Sequence, residues 1–458
     1  MSDFTHNLAN RVTALHFDAL EPETVRLIKL GIADCIGVTL AARGEEVVRI
    51  ASATFATMEG RLHEATTLVS GRRVSSVQAA LLNATAAHAL DYDDTALDGH
   101  PSVVLLPASL AEGERLGASG RDVLTAYAAG YEVWARLRIV EADKIHSKGW
   151  HPSSTIGAVA AAAAAARVAG LSMTMTARAL SIAASMAAGV VANFGSMMKP
   201  LQVGLAVSNG VRAARLAAAG LTASSGALEH PVGLLHALSP RGNLEFGASH
   251  DHINERSSAV LQFGINIKRY PVCYAMHRIV DAMAQVCADA SIDPSQIARI
   301  DAHIGVAQAA MLRDSIPEDA LSAKFSLSFG LACVAERGHI TLDDLGGERI
   351  DDPALRSLMQ RVRVVTNHER DPEDPLFSPA DWVVIVLKDG TRVTSEPVKH
   401  AIGHARRPMI MALLEQKFHE CASRTIMDSR KRTTLFEHLT RMETIECLDD
   451  LMAAFAAQ

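Results

Sequence analysis

The run HALDYDDTALDGHPSVVLLP, residues 88–107, decides how this chain is built. It reads as the end of one helix, a tight turn and the approach to the next. Four carboxylates, a threonine and two histidines fall within it. The first helix begins near Ser76 and is expected to run to Asp94, which places Asp91, Asp94 and Thr95 on one face at i, i+3 and i+4. The line Asp98-Gly99-His100-Pro101 breaks it, because Gly and Pro interrupt helices and Pro101 pushes His100 out of helical geometry. His100 is then held on a loop close to Asp91. A carboxylate beside an imidazole fixes the tautomer and sets its pKa near working pH. The plainer alternative is a solvated acidic helix end followed by an ordinary turn.

Working outward, the 458 residues suffice for two or three domains and a large core. Apolar residues make up 49% and aromatics only 4%, so Ala, Leu, Val and Ile carry the core, which favours closely packed helices over a sheet sandwich. The net charge of -7, without a basic block, argues against nucleic-acid binding. Six scattered cysteines, with no CxxC, read as reduced thiols of a cytoplasmic protein. The start MSDFTHNLANRV lacks the pattern of a signal peptide, and the Ala-rich stretch from Ile156 to Ala166 is too short to span a bilayer. A soluble protein with no membrane partner is expected.

Helical spacing is clear over Pro22 to Ala42, Val74 to His88, Pro107 to Leu116, Gly120 to Val140, Ser153 to Ala169 and Pro200 to Ala219. Tyr127, Tyr131 and Trp134 form a stripe expected in the core. No strand is expected before about residue 260. Beyond it Ile297 to Gly305, Val362 to Thr366 and Trp382 to Leu387 read as strands, and Lys388-Asp389-Gly390-Thr391 as a hairpin turn. Helical patterns at Ala275 to Ala290, Glu318 to Arg337 and Pro353 to Arg361 alternate with them, and helices return at Met409 to Ala422 and Lys431 to Met442. The expected fold is mainly α: a large all-helical domain formed by residues 1–265 and 404–458, with a smaller α+β lid domain, 266–403, inserted.

Composition hides one pattern. His100-Pro101, His151-Pro152 and Lys199-Pro200 each set a basic or imidazole residue directly before a proline that opens or nearly opens a helix, and Lys268-Arg269-Tyr270-Pro271 is related. Proline is common there, but a cation is disfavoured by the helix dipole by roughly 0.3–1 kcal/mol unless something negative is near. Convergence of these ends would make a pocket for a ligand with several carboxylates; the alternative is a set of separate surface turns. Other signals are weaker. His250-Asp251-His252 and His230 are metal-capable residues of low specificity, and no metal site is expected from them. Neither GxGxxG nor GxxxxGK is present, and Cys273 reads as a wall residue.

The blocks HALDYDDT, GHPSVVLLPA, GASGRDVLTAYAAGYEV, GWHPSSTIGAVAAAA, KPLQVGLAVSNGV, KRYPVCYAMHRIVDA and AKFSLSFGLACVA resemble, in that order, the MmgE/PrpD family, from about Asp34 to Phe418. That family includes 2-methylcitrate dehydratase, cis-aconitate decarboxylase and iminodisuccinate epimerase. The resemblance implies an active site between a helical and a lid domain, usually a homodimer, and neither a metal nor an organic cofactor. It makes Asp91, Thr95, His100, His151, Lys199 and Lys268 the expected site. Two positions depart from the family pattern: Gln202 stands where many relatives read KPLH, and Phe329 where cis-aconitate decarboxylases and many dehydratases have tyrosine. Both changes remove a polar or titratable group from positions expected to touch substrate.

The reactions of the family make or quench a carbanion next to a carboxylate, which needs a positioned base and cations to stabilise the enolate. His100, oriented by Asp91, is the expected base or acid. Lys199, Lys268 and His151 are expected to hold carboxylates and take up the developing charge, and Thr95 to orient a hydroxyl or carboxylate of the substrate. A small polycarboxylate substrate is therefore expected. Dehydration of a 2-methylcitrate-like hydroxy acid is placed ahead, with an iminodisuccinate-type epimerase and a cis-aconitate decarboxylase as alternatives. The non-enzyme alternative is a silent polycarboxylate-binding protein.

Overall fold

The computed structural model describes residues 3–57, 62–141, 144–240, 242, 244–247, 253, 257–313, 315–372 and 377–456. The fold is mainly helical, and the chain divides into two compact units. One comprises Met1–Ile267 with Ile410–Gln458, the other Lys268–Met409.

The first unit is built from alanine. Small side chains let helices approach closely, and the Pro152–Val168 helix is buried along almost its whole length. At Gly204, on the Met198–Ala218 helix, an added Cβ would lie 2.1 Å from Thr85 Oγ1 and 2.5 Å from Leu81 O, so only glycine permits this crossing with the Ser76–Ala89 helix. That approach draws the start of one helix towards the end of the other. Tyr127, Tyr131 and Trp134 of the Gly120–Val140 helix are fully buried, as expected of a core stripe. Their polar tips are not idle. Tyr127 Oη meets Ser102 Oγ at 2.7 Å, Tyr131 donates to Gly264 O at 2.6 Å, and the Trp134 indole donates to Leu97 O at 3.4 Å. The core stripe thus pins the turn after Asp94 and the start of the Ser102–Leu116 helix.

Two strands precede residue 260 against expectation, β1 (Ala65–Thr66) and β2 (Arg73–Val74), an antiparallel pair. Each is two residues long, too short for a periodicity to register. Pro107 lies inside its helix, which starts at Ser102 and so takes in residues read as the approach.

The second unit holds a four-stranded sheet of β3 (Ile297–Gly305), β4 (Val362–Asn367), β5 (Trp382–Leu387) and β6 (Arg392–Thr394), ordered β4-β3-β5-β6. β3 pairs parallel to β4 and antiparallel to β5, and the β5–β6 turn places Gly390 at φ 87°. The helical run expected over Glu318 to Arg337 is split into Ala320–Ala323 and Leu327–Arg337, because Ser326 caps the second helix by accepting from Phe329 N. Phe329 itself is fully buried in the hydrophobic core of this unit. Phe329, expected to touch substrate, thus has no accessible surface, its ring packed among apolar side chains. No helix among the described residues is long and apolar enough to cross a membrane, and no disulfide joins the cysteines among them.

Candidate active site

The Ser76–Ala89 helix does not reach Asp94. Leu90 caps it, and Asp91 then turns into the left-handed region at φ 52°, a conformation that a short acidic side chain tolerates better than most. Leu97 and Asp98 repeat the left-handed geometry at 49° and 64°, so residues 91–101 form an irregular loop and the i, i+3, i+4 face does not exist. The neighbouring acids separate instead, each to its own partner.

Asp93 is the centre. Its Oδ2 lies 2.7 Å from His100 Nδ1 and 3.1 Å from His88 Nδ1, and both its side chain and that of His88 are wholly buried. His100 Nδ1 also approaches Asp94 O at 3.0 Å, and Ser153 Oγ takes the His100 backbone N–H. With two acceptors facing Nδ1, the proton sits there and Nε2 carries the lone pair. The carboxylate that orients His100 is therefore Asp93, not Asp91 as the sequence suggested. Asp91 Oδ1 is 3.9 Å from His100 Nε2 and accepts from Lys199 Nζ at 2.9 Å. Lys199 also lies 5.3 Å above the Phe194 ring. The side chains of His100, Asp91 and Lys199 keep 14%, 15% and 12% exposure, so this edge is the open side of an otherwise buried cluster.

Burial opposes ionisation of Asp93, yet the imidazoles of His100 and His88 hold its carboxyl well below the usual range. Asp94 goes the other way. Burial, with Asp34 and Asp93 nearby, keeps its acid well above the usual range, against the pull of Ser102 and Lys417. Two adjacent carboxyls are thus split into an anion and a neutral acid. His88 is lowered to about 4, chiefly by burial and further by Lys199 and His100, against the pull of Asp93. His151 is driven down strongly by burial, then by His88, Lys199 and His100, so it stays neutral. Its ring stacks 5.9 Å from His88 and meets Phe194 edge-on at 4.8 Å. Beneath the loop, Lys417 of the Met411–Ala422 helix pairs with Asp34 at 2.5 Å, donates to Tyr92 O at 2.9 Å and sits 3.8 Å above the Tyr92 ring.

Ligand-capable atoms of His88, Asp91, Asp93 and His100 lie within 4.8 Å of one another, a spacing compatible with a metal ion. Within the chain, Asp93 already accepts from two imidazoles and Asp91 is paired with an ammonium.

Residues 6–247 match the model of the MmgE/PrpD N-terminal domain, and residues 270–441 that of the C-terminal domain. The chain belongs to the MmgE/PrpD family. Among curated relatives, the cis-aconitate decarboxylase of Mus musculus is 29% identical, over 98% of this chain and 92% of that protein. The human cis-aconitate decarboxylase is 28% identical over 93% of this chain and 89% of its own length, and that of Aspergillus terreus 26% over 79% and 77%.

Of the residues that resemblance to the MmgE/PrpD family pointed to, Asp91, His100 and Lys199 adjoin one another, and His151 stacks on His88 behind them. Thr95 pairs its backbone with Asn266, N–H to O at 2.8 Å, while its Oγ1 is buried without a hydrogen-bond partner among the described residues. Gln202, expected to touch substrate, is 4% exposed and binds His151 and Val190. Lys268 is a buried residue at the start of the second unit. His230 is exposed and accepts from Val232 N, and His250-Asp251-His252 lie outside the described residues. Sequence reading passed over His88 and Asp93. A usable signal was present, since His88 precedes Asp93 by five residues across a helix end.

Proposed function

We propose that this protein is a lyase that forms a carbanion next to a carboxylate of a small polycarboxylic acid, with decarboxylation of a cis-aconitate-type tricarboxylate placed ahead of dehydration of a 2-methylcitrate-type hydroxy acid. The observation that carries it is His100: its Nδ1 is held by Asp93 and its Nε2 lies at the open edge beside the Asp91–Lys199 pair. The relatives named cis-aconitate decarboxylases support this order of the two reactions.

In the decarboxylation, the saturated arm loses CO₂, its electron pair moves through the double bond to the carbon next to another carboxylate, and one proton is added there. Lys199 stabilises the enolate charge. His100 takes up a proton from solvent on Nε2, steadied by the Asp93 anion, and delivers it to that carbon. The unpartnered Thr95 hydroxyl suits a substrate carboxylate or hydroxyl, since leaving it buried and unbonded costs about 1–3 kcal/mol. In the dehydration, the same Nε2 acts as the base.

The test is incubation in D₂O with cis-aconitate, 2-methylcitrate and iminodisuccinate separately, followed by NMR. CO₂ release from cis-aconitate with one deuterium in the product is expected. Alkene formation from 2-methylcitrate alone would reverse the order. Deuterium incorporation with inversion in iminodisuccinate alone, or no reaction with any of the three, would overturn the proposal.

A further inference from the structure

His151 differs from His100 in what faces its Nδ1. The nearest polar atom is Gln202 Nε2, at 2.7 Å, with Ser154 Oγ at 3.1 Å. Which end of the Gln202 amide points to the ring is fixed by Val190, since Val190 N–H approaches Gln202 Oε1 at 3.3 Å and Val190 O approaches Gln202 Nε2 at 3.4 Å. Reversing the amide would set donor against donor and oxygen against oxygen at both contacts. The strand-like segment that carries Val190 is itself tied to the histidine: His151 N–H donates to Gly189 O at 3.0 Å, and Val191 N–H to Gly149 O at 2.9 Å. Gly189 adopts φ 125°, and a Cβ there would stand 2.5 Å from Ser154 Cβ and 3.4 Å from Gln202 Cδ, so the seat of the amide depends on a bare backbone.

An amide N–H pointing at Nδ1 requires a lone pair there, which leaves the ring proton on Nε2. We propose that Gln202 is a positioning residue that locks His151 in the Nε2–H tautomer, making it a neutral hydrogen-bond donor to a carboxylate or enolate oxygen of the substrate. The two imidazoles then hold opposite tautomers, His100 with a lone pair on Nε2 and His151 with a proton there, so one handles protons and the other binds an oxyanion. This rests on the proposed function for the presence of a substrate oxyanion, while the tautomer itself does not. A donor to a developing oxyanion contributes about 10²–10³-fold in rate when preorganised.

The tautomer is read without substrate by ¹⁵N NMR of histidine-labelled protein, the His151 signals being assigned by their loss in His151→Gln. An unprotonated Nδ1 and a protonated Nε2, unchanged between pH 6 and 8, are expected. Gln202→Glu puts an acceptor in the same seat and is expected to invert the pattern and lower kcat at least tenfold, with KM changing less. Gln202→Leu removes the lock and is expected to give mixed tautomers with an intermediate kcat. A protonated Nδ1 in the wild-type protein would overturn the proposal whatever the variants do, as would a Gln202→Glu protein with the wild-type nitrogen pattern and kcat. The NMR result stands even if none of the three acids reacts, which separates this inference from the assignment of the reaction.

Discussion

The site loop of the first unit and the sheet edge of the second both bury aspartates, yet they give them different partners. In the sheet unit Asp381, wholly buried, takes a two-pronged contact from Arg278 at 2.7 and 2.8 Å, with Ser378 Oγ at 3.0 Å and Gly305 N at 3.1 Å. Asp344 meets Arg337 and Arg349, and Asp281 meets Arg269 at 3.4 Å and the Tyr270 hydroxyl at 2.8 Å. Guanidinium never gives up its proton in a protein, so these pairs hold structure and nothing else. In the site loop, Asp93 is paired with two imidazoles and Asp91 with an ammonium. The scaffold acids face guanidinium, and the acid of the site loop faces imidazole.

The sharpest way to break this contrast is at His100. His100→Ala is expected to lower kcat by about 10²–10⁴-fold, with circular dichroism and the melting temperature close to wild type. Asp93→Asn should lower it in the same direction, since the amide can no longer steady an imidazolium. Near wild-type turnover in His100→Ala would remove the imidazole from the chemistry. Next in size is the scaffold pair. Arg278→Ala leaves Asp381 buried without its cation and is expected to destabilise the protein by about 3–5 kcal/mol in denaturant titration. A loss under about 1 kcal/mol would show that Asp381 is not dependent on the guanidinium.

The smallest effect concerns Asp94. Its folded-state pKa is raised, chiefly by burial, so its stabilising contribution is complete below the unfolded value of 3.8 and is lost as pH rises towards the folded value. Asp94→Asn keeps the shape of the neutral acid and removes that loss. A rise in Tm of about 2 °C is expected, larger at pH 8 than at pH 5. A fall in Tm at pH 8 would show that the ionised form is accommodated after all.

Much of the helical unit was legible because alanine-rich periodicity and helix-opening prolines are local signals. Gly120–Val140, Ile297–Gly305 and Trp382–Leu387 lie where the pattern put them. Asp91, His100 and Lys199 were legible because a cation before a helix-opening proline is anomalous without a nearby acid. The roles of the acids were not legible. Which of Asp91, Asp93 and Asp94 faces the imidazole depends on the sign of one φ angle, and residue type alone does not set it. The part of Phe329 and Gln202 was not legible for a related reason: a position can be named from sequence, but whether its side chain faces a ligand or packs behind one is decided by the helices around it.

Lys417 carries one more consequence. It steadies the Tyr92 carbonyl and the Asp34 carboxylate beneath the loop, yet 325 residues separate it from Tyr92. At a synthesis rate of about 5–20 residues per second, Tyr92 waits roughly 16–65 s for that ammonium to be made. A chain released from within the sheet unit lacks the Met411–Ala422 helix and, with it, the ammonium that supports the site loop from below.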